Sequence, residues 1–272
     1  MRESRLSREF SIAAGIGNST VRLALMRGDE VLRSTAVPHT VVGMEVIRAE
    51  LQRLLSGSDE EGGADVRSDV PRRAGICSVV PRLTEQIETM LADEGVRDVR
   101  VCRPAATDWF PSTYQTMETL GADRFCAVLG ARERYGVPVI VIDCGTATTL
   151  NVVDADGHFL GGSIAPGVDA SFRVLHDRTA QLPALDAAGD TDMPLIGADT
   201  AASLRSGVLQ FSRLALEGAV AEVKNLTGPD TPVICTGGAL PHLLRAGLAI
   251  PGMRRDDDIL LRGVIFFLHY TG

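Results

Sequence analysis

An internal repeat constrains this chain more than any other feature. An offset of 128 positions carries Gly17 onto Gly145, Thr20 onto Thr148 and Leu32 onto Leu160. Both copies run strand, glycine turn, strand, acidic or glycine turn, strand. In the first copy the apolar runs are 10–14, 21–26 and 31–38, cut by Gly15-Ile16-Gly17-Asn18 and by Arg27-Gly28-Asp29-Glu30. In the second they are 137–142, 148–153 and 158–164, cut by Asp143-Cys144-Gly145-Thr146 and by Asp154-Ala155-Asp156-Gly157. Short apolar runs bounded by Gly, Asp and Asn predict strands. The shared order argues for a duplicated unit more strongly than the few identities do.

The remaining periodicities fill in two α/β halves, 10–118 and 119–272. Apolar spacing predicts helices over 44–55, 83–93, 123–135, 201–224 and 241–248. Strands are expected at 75–80, 99–103 and 231–235, and 259–269 reads as a final helix or a buried strand. Residues 56–73, rich in Gly, Ser and charge, read as a loop.

Paired glycine turns raise the question of phosphate binding. A Walker loop is excluded, because Lys224 is the only lysine and stands in Glu222-Val223-Lys224-Asn225. The first turn is not a dinucleotide fingerprint either: position 20 is Thr, and a strand follows rather than a helix. Gly17 could instead let backbone approach a phosphate, with Asn18, Ser19 and Thr20 as donors. An ordinary hairpin would use Gly and Asn as well. The second turn ends an apolar strand on Asp143, then gives Gly145 and the hydroxyls of Thr146, Thr148 and Thr149. That set suits a cation beside phosphate oxygens, or an Asx turn. The two turns together favour phosphate.

Charge and composition exclude other classes. Against 35 acidic residues stand 27 basic ones, a formal charge of −8, so no basic field draws in nucleic acid or an anionic membrane. No apolar run approaches the ~18 residues of a membrane span. The five cysteines form no C-x-x-C pair and residues 1–10 lack an apolar signal core, so a reduced, cytoplasmic setting is expected.

From about Ser11 onward the chain resembles the type III pantothenate kinases of the actin-like ATPase and sugar-kinase superfamily. Asp143-Cys144-Gly145-Thr146-Ala147-Thr148-Thr149 is similar to that family's second phosphate motif. Tyr114 with Leu120-Gly121-Ala122-Asp123-Arg124 resembles its pantothenate stretch, and Gly161-Gly162-Ser163-Ile164-Ala165-Pro166-Gly167 its glycine-proline loop. Thr179-Ala180-Gln181-Leu182-Pro183, Gly197-Ala198-Asp199-Thr200 and the adenosine motif Thr236-Gly237-Gly238 follow in order.

The resemblance implies a duplicated actin-like ATPase (ribonuclease H-like) fold with ATP in the cleft between two domains. It implies phosphorylation of pantothenate to 4'-phosphopantothenate, the first step towards coenzyme A, by a homodimer. Asp123 would be the general base; Tyr114, Gly121, Ala122, Arg124 and Thr200 would join it in binding pantothenate. Gly15, Ile16, Gly17, Asn18, Ser19, Thr20, Val21, Arg22, Thr146, Gly237 and Gly238 would bind ATP. Mg2+ would accompany ATP, and Asp143 would hold a monovalent cation, K+ or NH4+. Two positions depart from the pattern. Met117 stands where the family has Pro, and Gly15 where it has a magnesium-facing Asp. Loss of that carboxylate leaves room for a water, and opens the alternative of a nucleotide-binding regulator with weakened or lost turnover.

Overall fold

The computed structural model describes residues 9–56, 71–188 and 194–271; most of the loop expected over 56–73 lies outside them. The chain divides into two compact units, Met1–Phe110 with Gln115–Arg134 and Asp258–Gly272, and Pro111–Tyr114 with Tyr135–Asp257. These bounds differ from a single cut at 118/119, because the helices α3 (Ala122–Tyr135) and α7 (Ile259–Thr271) belong chiefly to the first unit.

The first unit is built on β1 (Phe10–Ile16), β2 (Val21–Arg27), β3 (Glu30–Val37), β4 (Arg73–Ser78) and β5 (Asp98–Val101), in the order β3-β2-β1-β4-β5. β1 and β2 are apolar on both faces and buried, whereas the edge strand β3 is only partly buried. Helix α1 (Met44–Ser56) turns Ile47, Leu51 and Leu54 inward at helical spacing. Helix α2 (Pro81–Asp93) opens on Pro81, where a missing N–H costs nothing, and buries Ile87, Met90 and Leu91. Helices α3 and α7 touch backbone to backbone: a Cβ on Gly263 would lie 1.8 Å from the Cys126 carbonyl oxygen.

The second unit repeats this plan. Its strands are β6 (Val139–Cys144), β7 (Ala147–Val153), β8 (Phe159–Pro166), β9 (Val233–Thr236) and β10 (Met253–Arg255), ordered β8-β7-β6-β9-β10. In each unit two antiparallel pairings are followed by two parallel ones. Even the register shifts correspond, at Leu25/Met26 and at Val152/Val153. Helix α4 (Val168–Asp177), the 28-residue α5 (Thr200–Thr227) and α6 (Leu240–Arg245) complete it. Asp199 caps α5, its carboxylate accepting the Ala202 N–H at 2.8 Å.

This is the duplicated actin-like topology. The second-copy strands begin and end a residue or two from the sequence reading, the ambiguous C-terminal segment is helical, and α4 and β10 were not foreseen.

Candidate active site

In the first unit β1, β3, β4 and β5 run parallel to one another, so their C-terminal ends share one edge of the sheet. Ligands of open α/β sheets bind outside such an edge. The Gly17–Thr20 turn stands there. The Gly17 N–H donates to the Thr20 carbonyl at 3.0 Å, and the Val79 N–H donates to the Ile16 carbonyl at 3.0 Å. His39, just beyond β3, places Nε2 2.8 Å from the Gly17 carbonyl oxygen. Asn18 and Ser19 are exposed, while Ile16 and Val21 are core side chains that could offer a nucleotide only backbone. The Arg22 guanidinium donates to Asp258 at 2.7 Å, so that candidate phosphate ligand is held by an ion pair.

Gly15 is buried, and a Cβ there would lie 3.0 Å from Leu260 Cδ2 and 3.7 Å from Leu261 Cδ2. The expected open space for a metal-bound water is therefore not found. Leucines of α7 cover the position, because apolar packing has taken up the volume that a carboxylate would need.

Asp123 lies in the first turn of α3, where a negative charge meets the positive end of the helix. Its Oδ1 accepts the Arg124 N–H at 2.8 Å. A Cβ on Gly121 would come within 2.4 Å of the same oxygen, so Gly121 makes room for the carboxylate. Arg124 is only 7% exposed, which sets it apart from the solvated cation usual near a helix start. Asp123 also reaches the strand edge electrostatically. Cys126 hydrogen-bonds the Cys77 thiol and favours ionisation, but burial, Cys102 and Asp123 outweigh it and push Cys77 up. Burial pushes Cys126 well up, with Cys102 and Cys77 adding to it.

The second unit shows the matching edge. Asp143 pairs in register with Thr149 on one side and Thr236 on the other. Gly237 holds φ +102° against this carboxylate: a Cβ would sit 2.5 Å from Asp143 Oδ1 and 2.5 Å from the Cys144 carbonyl oxygen. Gly167 closes from the end of β8, its N–H donating to the Thr146 carbonyl at 3.2 Å. The Asp143–Thr149 segment, Gly167 and Gly237 thus converge, and only glycine fits where they touch. Asp143 and the hydroxyls of Thr146 and Thr149 are hard oxygen donors, suited to a hard cation. Among the described residues the one cluster of three metal-type ligands is elsewhere, Asp154, Asp156 and His158 on the β7–β8 turn.

The pantothenate candidates divide between units. Gly121–Arg124 belong to the first. Tyr114 belongs to the second, where its ring packs on Phe159 at 5.6 Å between centroids and covers Gly161. Thr200, the first residue of α5, is exposed and lines a cavity of about 580 Å³ with Leu175, Leu182 and Ser203. Trp109 and Phe110 pack with Phe125, and Trp109 stacks on Tyr270 at 5.0 Å. Sequence reasoning passed over His39, for which a lone histidine after a strand gives no signal.

The family model described as type III pantothenate kinase matches residues 11–222. The chain belongs to this family. A type III pantothenate kinase of Thermomicrobium roseum is 38% identical over 164 residues, 60% of this chain and 62% of the relative. One of Brevibacillus brevis is 30% identical over 248 residues, 88% of this chain and 94% of the relative. With the first several such relatives the aligned stretch spans little more than half of their length. Among solved structures, a Campylobacter jejuni protein named as a Baf family transcriptional activator superposes with a TM-score of 0.57 at 16% identity, covering 96% of this chain and 98% of that one. That likeness shows the fold.

Proposed function

We propose that this chain transfers the γ-phosphoryl group of ATP to the primary hydroxyl of pantothenate. The observation that carries the reading is the family match, which spans both glycine turns and Asp123. Asp123 takes the hydroxyl proton as general base, and the oxygen then attacks phosphorus in line. Arg124 holds the substrate or offsets charge at the transferring group. Catalysis of this kind consists mainly of positioning and charge neutralisation. The Gly17–Thr20 turn and Thr146 serve the phosphates, and Gly237 and Gly238 the adenosine. Tyr114, Gly121, Ala122 and Thr200 shape the pantothenate site. Mg2+ bound to ATP supplies Lewis-acid stabilisation of the phosphates, and Asp143 holds K+ or NH4+.

The second unit supports a homodimer. A groove of about 690 Å³ runs over β7, β8, α4 and α5, lined by Leu150, Pro166, Val174, Phe211 and Leu216. Val174 is 56% and Phe211 65% exposed. An uncharged face of this kind lets two acidic chains associate.

The deciding experiment is a coupled ADP-release assay with and without pantothenate. Turnover that depends on pantothenate is the expected result. Nucleotide binding without turnover would replace the reading with a regulator, and turnover only with another hydroxylated acceptor would change the substrate.

A further inference from the structure

A tight turn ordinarily closes with the N–H of its fourth residue donating to the carbonyl of its first. The Gly17–Thr20 turn departs from that pattern. Its one internal backbone bond runs the other way, from the Gly17 N–H to the Thr20 carbonyl at 3.0 Å. The Gly17 carbonyl, which the Thr20 N–H would otherwise seek, is instead met by His39 Nε2 at 2.8 Å. Among the described residues, the N–H groups of Asn18, Ser19 and Thr20 then have no backbone acceptor, and all three lie at the strand-end edge.

His39 is held in place to do this. The Val41 N–H donates to the Pro38 carbonyl at 3.1 Å, making a turn that carries His39 past the end of β3. Val37, the last residue of β3, pairs with Val21, and Val21 with Ile16, so the two turns stand side by side across three adjacent strands. With its proton on Nε2, the imidazole satisfies the Gly17 carbonyl from outside the turn.

We propose that His39 is a positioning residue for nucleotide phosphate. By bonding the Gly17 carbonyl from outside it takes the acceptor that the Thr20 N–H would otherwise use, and leaves the N–H groups of Asn18, Ser19 and Thr20 free for phosphate oxygens. Consecutive free N–H groups of this kind form an anion-binding concavity. The inference rests on the reading of this turn as a phosphate site.

The test compares wild type with His39→Ala and His39→Gln, whose Nε2 can also donate. Calorimetric titrations use ATP and, separately, adenosine, so no turnover is needed; steady-state kinetics add the division between KM and kcat. Loss of one ordinary hydrogen bond predicts that His39→Ala weakens ATP about tenfold. Adenosine affinity should stay unchanged, KM for ATP should rise more than kcat falls, and His39→Gln should recover most of the loss. Unchanged ATP affinity in His39→Ala overturns the proposal, as does equal weakening of ATP and adenosine, or a glutamine variant no better than alanine. Asn18→Pro, which deletes one of the proposed N–H donors at a position without positive φ, separates the two levels. If it weakens ATP but not adenosine and His39→Ala has no effect, the role of His39 fails while the phosphate site stands. If neither variant matters, the phosphate reading fails with it.

Discussion

A carboxylate that takes a proton from an alcohol has to be reachable and to keep lone pairs free for the task. Asp123 is partly exposed, and only its Oδ1 is shown bonded to the Arg124 N–H. Replacing it with Asn keeps shape and that hydrogen bond while removing basicity. We expect kcat to fall about 10²–10⁴-fold, the usual contribution of a positioned base. Single-turnover kinetics and ATP titration check it, since ATP affinity should hold; a variant keeping a tenth of the wild-type rate would remove Asp123 from the base role. Gly15 gives an opposite kind of expectation. Gly15→Asp would press a carboxylate onto Leu260 and Leu261 rather than towards a metal. Burying an unpaired charge beside leucines costs about 1–3 kcal/mol or more. Urea unfolding should show that loss against Gly15→Ala, with no fall in the magnesium needed for half-maximal velocity. Asp as stable as Ala would mean that the side chain finds a polar exit.

At the scale of elements, what was legible is what repeats. The hairpins β1–β2 and β6–β7 are apolar runs broken by a glycine turn, and the local chemistry alone specifies them. Helix α4 escaped because only Val168 and Phe172 of its ten residues are buried, too short a stripe to read. Strand β10 has three residues, two of them exposed arginines, and exists only because β9 offers an edge. Helix α7 is apolar nearly all round, so periodicity could not separate it from a strand; packing against β1 and β4 buries it as a helix. The strand ends also hold thiols whose state follows from that packing. Burial pushes Cys144 up to about 12, with Cys235 and Asp143 adding to it, and burial alone pushes Cys235 up to about 12. A folded pKa raised above the unfolded one stabilises the protein fully below the unfolded value. That stability is lost as pH rises towards the folded value. Between roughly pH 9 and 12 the second unit should therefore weaken, because only the unfolded chain can ionise these thiols. Denaturant midpoints at pH 8 and 10.5 measure the slope, and Cys144→Ala with Cys235→Ala should flatten it. Equal slopes would assign the alkaline loss to other groups. Iodoacetamide at pH 8 should leave both thiols unlabelled until the chain unfolds.

For the whole molecule, duplication explains why the candidate turns are legible in the sequence and their contacts are not. A repeat read along the chain says that two edges exist and which turns stand on them. It cannot say that Leu260 covers Gly15, or that His39 reaches Gly17, because those contacts join segments with no shared periodicity. The same limit applies to the proposed dimer. Phe211 and Val174 lie on helices whose other faces build the core, and only the three-dimensional structure shows them standing out together on one groove. A stable dimer buries about 800 Å² per partner, with charges depleted from its centre. Phe211→Glu would put an acidic group at that centre in both copies, each already carrying a net charge of −8. The residue is exposed, so the fold of one chain should survive, and an unchanged circular dichroism spectrum confirms that control. Sedimentation velocity should give twice the chain mass for wild type and the single chain mass for the variant. Thr200, proposed for the pantothenate site, opens the helix that carries Phe211, so KM for pantothenate should rise in the variant while adenosine affinity holds. A Phe211→Glu protein that still sediments as a dimer would move the interface to another face. A wild type that sediments as a monomer would remove the dimer, and would leave the groove over α4 and α5 to a different partner.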